Sequence, residues 1–304
     1  MDAIFAHFTI IITAVLIGCA IIFFFFFLAG FFAARDSGKK SKSAFLISIP
    51  IGLGVNFIDV LGVGSFAPAT GLLKLFRQCP DRFLPGTLHA GLIIPVVYQA
   101  IVFVDVIAVD PTTLAAMMLA AAAGGYAGAG FVSRFSAQRV RIVMGFALLV
   151  TALCMVGSVL GMYPAGGDDV GLTGTSLAIG VGANFVLGVL LTIGVGFYAP
   201  CMALVFFLEM DPRVAFPIMM CSSALLMSLS SIRFVKAGAV DHACCLYMAL
   251  GGCIGVYLAI PHVAEMDITQ LKYAVIVFTI LTSLGMFFSF VRHRPKVNKA
   301  DRTA

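Results

Sequence analysis

The chain alternates long apolar runs with short polar segments, and the run lengths predict membrane-spanning helices. The first run covers residues 8–34. No Lys or Arg precedes it, and it is far longer than the roughly 7–15 residues of a signal-peptide core, so it reads as a retained transmembrane helix. The next run, 44–76, is interrupted by a glycine motif. Uninterrupted runs follow at 84–104, 112–132 and 138–160. The same order then recurs, with an interrupted run at 173–208 and three runs at 214–234, 243–261 and 270–291. One helix over 44–76 would be about 50 Å long, against about 30 Å of hydrocarbon. That stretch cannot be a single straight span, and Gly62, Gly64 and Pro68 mark its break.

The recurrence extends to the residues themselves. GVGSFAP at 62–68 returns as GVGFYAP at 194–200, a shift of 132 positions that also carries Pro80 onto Pro212 and Pro85 onto Pro217. VIAVD ending at Asp110 resembles AGAVD ending at Asp241, and GGYAGA from Gly124 resembles GGCIGV from Gly251. Asn56-Phe57 and Asn184-Phe185 precede the two glycine motifs, displaced by about one helical turn. Matches in one order with small slips between them indicate duplication. The expected organisation is an extra N-terminal helix and basic loop (1–42), a first repeat (43–165), a second repeat (166–292) and a basic tail (293–304).

Charge then orients the chain. Lys and Arg collect at 35–42, 74–82, 133–141, at Arg233 and Lys236, and in the tail after Val291. The segments 105–111 and 161–172 carry only acids. By the positive-inside rule the basic segments are cytoplasmic, which puts the N-terminus outside and the C-terminus inside. The signs agree best if 44–76 and 173–208 are re-entrant hairpins, entering and leaving on one side. Full crossings are the alternative, and would put the basic 74–82 segment outside. With hairpins each half has an odd number of crossings and the halves are inverted. The predicted fold class is therefore an all-α integral membrane protein with an inverted structural repeat, each half a broken-helix hairpin plus three transmembrane helices.

Composition narrows the functions. Of 304 residues, 61% are hydrophobic and 11% charged. Soluble domains carry roughly 25% charged residues, so lipid must solvate most of this surface, in a multi-pass protein of the cell membrane. The net charge of +5 is spread over loops, unlike the basic face of a nucleic-acid reader. The eight cysteines lack C-x-x-C spacing and read as small packing residues. No metal or cofactor is implied.

Inverted repeats with broken helices are a recurrent transporter design, with the site at the midplane. The two glycine tips are expected to meet there. Pro68 and Pro200 suit first turns of restarting helices, whose free N–H groups favour an anion. Gly62, Gly64, Gly194 and Gly196 would let backbone approach it, or merely permit tight hairpins. Ser65 and Tyr198 offer hydroxyls. Asp59, the one acid deep in an apolar run, is a candidate carrier of a coupling H⁺ or Na⁺, or a residue steadying the hairpin. Asn56 and Asn184 would line the cavity or bond neighbouring helices. His89 and Gln99 read as packing or cavity lining, and the serines at 222, 223, 228, 230 and 231 as bonded to backbone or neighbouring helices. The G-x-x-x-G pairs Gly124/Gly128 and Gly251/Gly255 predict close helix packing.

These motifs resemble the TauE/SafE family of sulfite and sulfonate exporters. Its two G-x-G-G-G…P motifs stand here as GVGSFAP and GVGFYAP, DPRVAFPIMMCSSAL follows the second, and GGYAGAGFVSRFSAQRVR matches its small-residue span and basic loop. Ser65 and Phe197 replace the third glycine of each motif, and Glu265 and Asp267 replace the second basic loop. The resemblance covers about 44–291. It implies export of a small sulfur-containing anion such as sulfite, a sulfonate or a related carboxylate. The expected partners are that anion, the bilayer and a coupling ion, with homo-oligomers open. An anion channel, or a transporter of another small organic anion, is the competing reading. An intramembrane enzyme finds no H-E-x-x-H, C-x-x-C or acid pair to support it.

Overall fold

The computed structural model describes residues 2–34, 42–162 and 167–262, with scattered positions between 277 and 291. Ten α-helices occur among them: α1 (Asp2–Ala34), α2 (Lys42–Val60), α3 (Phe66–Leu75), α4 (Leu84–Val106), α5 (Pro111–Val132), α6 (Ala137–Val159), α7 (Gly174–Ile193), α8 (Tyr198–Phe207), α9 (Ala215–Lys236) and α10 (His242–Ala259). Apart from a single bridge between Asp169 and Met210, no strand occurs among the described residues. Seven helices are long and apolar enough to cross a membrane, and Phe45–Val60 is a shorter apolar one. Large apolar side chains such as Phe25, Phe131, Leu153 and Tyr257 point outward, as lipid allows and water would not. The expected last span, 270–291, lies mostly outside the described residues, as do the tail and most of the 35–42 loop.

The repeated signals act locally. Asp110 and Asp241, the matched aspartates, are both N-caps: their carboxylates accept from Thr113 N at 2.8 Å and Cys244 N at 3.1 Å. Both interrupted runs break at the glycine motif. Gly62, Gly64 and Gly194 sit at φ of 77°, 93° and 104°, a region costly for any residue with a Cβ.

Packing shows where the pieces go. On α5, Gly124 faces Phe185 O and Gly128 faces Val189 and Thr192 of α7; on α10, Gly251 faces Ile49 O and Gly255 faces Leu53 O of α2. A Cβ at any of these four would strike its neighbour, so the small residues set the helix separation. The arrangement is reciprocal, because each half's broken helix lies on a helix of the other half. Paired residues also give direction. Ile49 lies by Gly251 and Leu53 by Gly255, while Gly86 lies by Ala239 and Gly91 by Cys245, so α2, α4 and α10 run one way. Ala121 lies by Gly188, Gly128 by Thr192, Gly125 by Leu226 and Gly130 by Arg233, so α5, α7 and α9 run together. Between α4 and α9, Gly86 meets Phe234 and Phe103 meets Phe216, which makes the two sets antiparallel.

Each short helix doubles back. A surface groove is lined by Leu46, Ile47, Pro50 and Ile51 of α2 with Leu72 of α3 and Phe76 just after it. Likewise Gly180 of α7 faces Leu208, just after α8, which a Cβ added at Gly180 would meet at 3.4 Å. The termini of the first hairpin fall at the end of the molecule that holds Arg77, Arg82, Arg134, Arg139, Arg233 and Lys236. The second hairpin ends among Asp105, Asp110, Asp168, Asp169, Glu209 and Asp211, with Arg213 paired to Asp211. The molecule thus has a basic end and an acidic end. At the basic end Asp81 joins Lys74 at 3.0 Å and Arg141 at 2.7 Å, tying the exit of α3 to the start of α6.

Candidate functional site

The two breaks meet. Residues 63–67 and 196–198 line one central cavity, together with Asp59, Val96, Leu191, Ser223 and Met227. Its volume is about 20 Å³, room for about one water and too little for an oxyanion. The tips are closed on one another.

Asp59 is the only charged side chain in this lining and is 1% exposed. Its position follows from local structure: it lies in the last turn of α2, one residue before the helix stops, so its side chain faces the start of α3. Gln99 Nε2 donates to its Oδ2 at 3.1 Å and Tyr198 Oη donates to the same oxygen at 3.3 Å. Ser65 reaches it with both its hydroxyl and its backbone N–H. None of the ion pairs among the described residues involves it. A carboxylate buried without a cation needs such donors, each worth about 1.5–3 kcal/mol to a charged acceptor. The donors come from the N-cap of α3, from α4 and from α8, so one acid draws together elements of both halves.

The expected tip residues divide into two groups. Gly64, Ser65, Gly196 and Tyr198 line the cavity with Asp59. Gly62, Pro68, Gly194 and Pro200 do not. A Cβ added at Gly62 would lie 3.1 Å from the Phe216 ring and one added at Gly194 would lie 3.0 Å from Met144, and both prolines sit within first turns, of α3 and α8. Their part is to shape the breaks. Asn56 and Asn184 also lie outside the lining. Asn56 donates to Gly52 O of its own helix at 2.8 Å; Asn184 donates to Met117 O at 2.9 Å and Ser222 Oγ at 3.1 Å, joining α7 to α5 and α9. Phe197 stands in the lining where Ser65 stands in the other tip, and narrows it.

Three lining residues carried no signal of their own, Val96, Leu191 and Met227, and Ser223 was expected only as a serine bonded to backbone or a neighbouring helix. The repeat shift marks one of them, since it carries Asp59 onto Leu191 and Gln99 onto Ser231. Of the five serines on α9, Ser222, Ser228 and Ser230 have partners as expected. Ser223 and Ser231 have none within the protein, and Ser223 lines the cavity instead. His89 is fully buried, stacked on Phe234 at 5.4 Å and edge-on to Phe66 at 5.2 Å, and neither ring nitrogen has a protein partner. Leaving such a group unbonded costs about 1–3 kcal/mol. No cluster of metal-ligating side chains occurs among the described residues.

Comparison with known proteins adds one match. No curated protein and no solved structure matches the chain. The model of the family described as Sulfite exporter TauE/SafE matches residues 176–304, from the start of α7 through the second tip to the C-terminus. The family that both glycine motifs resemble is therefore the one whose model fits the chain's second half, in a multi-pass membrane protein whose first half repeats the same motif.

Proposed function

We propose that this protein is a secondary transporter of the cell membrane that exports a small sulfur-containing oxyanion, sulfite or a sulfonate, by alternating access. The observation that carries the reading is the central cavity: two hairpin tips, one from each half, close on a single buried carboxylate. The opposed helix directions and reciprocal packing support an inverted repeat, with the second hairpin entering from the side opposite to the first. Positive-inside asymmetry makes the basic end cytoplasmic; α1 then starts outside, since Thr9 and Thr13 lie near Asp105 and Val106 at the acidic end.

The mechanism follows from Asp59. An oxyanion entering the cavity needs donors, and the donors present already serve Asp59. Two anions about 4 Å apart repel by roughly 4 kcal/mol at an effective dielectric near 20. A proton on Asp59 removes the repulsion and releases Ser65 N–H and the hydroxyls to the ligand, at the positive end of α3. Each anion therefore travels with one proton. For a dianion the pair carries one net negative charge, which an inside-negative potential drives outward with about 2.3 kcal/mol per 100 mV. The closed cavity is the occluded stage, and rocking one half against the other opens it to either side.

The test is flux of labelled sulfite from proteoliposomes under imposed pH gradients and potentials, competed by sulfate, taurine and sulfoacetate. Saturable flux that responds to both gradients is expected, and Asp59→Asn should remove the proton dependence. Ohmic conductance without saturation would make the protein a channel. No flux with any competitor, from folded protein, would remove the substrate class.

A further inference from the structure

The α4–α9 seam carries two aromatic stacks that bracket the cavity. Val96 lines the cavity; seven residues on, Phe103 stacks on Phe216 at 5.4 Å with the rings 11° apart, and seven residues back, His89 stacks on Phe234 at 5.4 Å with the rings 18° apart. On α9, Phe216 lies seven residues before Ser223 and Phe234 seven after Met227. Each stack thus sits two helical turns, about 10 Å, from the cavity. The Phe103–Phe216 stack faces the acidic end and is wholly apolar. The His89–Phe234 stack faces the basic end, is closed toward the cavity by Phe66, and contains an imidazole with both nitrogens unbonded. Ser231, also buried and unbonded, lies one turn from Phe234 on the α9 face that includes Met227.

We propose that the seam is the ligand's route to the basic end, that Phe66 and Phe234 form its gate, and that His89 with Ser231 is a second oxyanion site behind that gate. This rests on the transport reading above. Buried polar groups are almost always bonded, and three unbonded polar atoms on one seam between cavity and basic end fit a stage in which another ligand bonds them. An imidazole N–H and a hydroxyl are donors suited to an oxyanion. The arginines and lysines of the basic end lie beyond. The titratable groups facing the seam from the packed helices are His89 itself, Asp59 and Tyr198 at the cavity, and the thiol of Cys221, which lies near Ala100 O. The apolar stack at the acidic end offers no such stage, so the two gates differ in chemistry as well as in side.

The first test reads opening without needing the substrate. Full-length protein in liposomes is treated with diethyl pyrocarbonate and carbethoxylation of each histidine is followed by mass spectrometry, with exposed His7 as the control. Phe234→Ala and Phe66→Ala should each speed modification of His89 at least severalfold, while Phe103→Ala, the same truncation on the other side, leaves it unchanged. Equal rates in all three folded variants and wild type would overturn the gate. The second test reads the site: His89→Phe should lower labelled sulfite flux about tenfold, the loss of one bond to a charged ligand, and His89→Gln should restore part of it. Undiminished flux in His89→Phe would overturn the site. Absence of sulfite flux in wild type, with the histidine pattern as expected, would count against the substrate and not the route.

Discussion

The two hairpin tips have one backbone and two chemistries. Both break at equivalent glycines and both restart a short helix that begins at the centre and runs back outward. The first brings Asp59 and Ser65; the second, at the same repeat positions, brings Leu191 and Phe197. The first half also supplies Gln99, where the second has Ser231. The two halves share packing glycines and helix caps, while the side chains at the cavity differ: one half holds the charge and the other covers it. A lining with one carboxylate offers one acidic side chain to a proton. Two symmetric carboxylates in about 20 Å³ would repel each other and could not both ionise.

Five comparisons sharpen this contrast. Leu191→Asp, which restores symmetry at the site, should have the largest effect: an unpaired buried charge costs roughly 3–5 kcal/mol, read as a large drop in unfolding temperature in detergent. Unchanged stability would mean that the cavity is wetter than its packing implies. Its opposite, Asp59→Leu, should leave a folded protein without proton-dependent flux. Next, Gly124→Val and Gly251→Val each drive a Cβ into a backbone carbonyl, at Phe185 and Ile49. Each should cost about 1–3 kcal/mol, and the two costs should be similar; a large inequality would break the equivalence of the halves as scaffolds. Tyr198→Phe removes the second half's one hydrogen bond to Asp59 and should cost about 1–2 kcal/mol. The exits of the hairpins should differ least. Asp81→Asn loses two partly buried ion pairs, worth up to about 1 kcal/mol, whereas Arg213→Ala, in an exposed pair with Asp211, should leave the unfolding temperature unmoved.

Much of the scaffold was legible in the chain because lipid imposes run lengths and the repeat supplies a second copy of each signal. Asp110 and Asp241 stood out as matched residues, and as helix caps their spacing has a local cause. The two G-x-x-x-G pairs pointed to close packing, and each lies on a carbonyl-lined face of a broken helix. The tips were legible as breaks, and Asp59 as an acid where acids are rare. What was not legible depends on partners distant in sequence. Tyr198 stood out as a tip hydroxyl and Gln99 as a polar residue within a span, but they meet Asp59 across 139 and 40 residues, and nothing local marks that pairing. Asn56 and Asn184 were equally plausible as lining or as stitches, and only the neighbouring helices decide that they bond backbone and Ser222. His89 is ordinary in sequence; its lack of partners emerges only when α3 and α9 close over it.

The reciprocal packing of the halves is even in space and uneven in time. When α7 leaves the ribosome, its partner α5 already exists, and Asn184 finds Met117 O only 67 positions behind it. The first hairpin has no such neighbour. Ser48 meets Cys244 across 196 positions, and the groove of α2 that receives Gly251 and Gly255 stays uncovered until α10 is made. At about 5–20 residues per second, α2 waits for roughly 10–40 s. During that interval the older half of the molecule is the unfinished one, and the last helices synthesised complete the first.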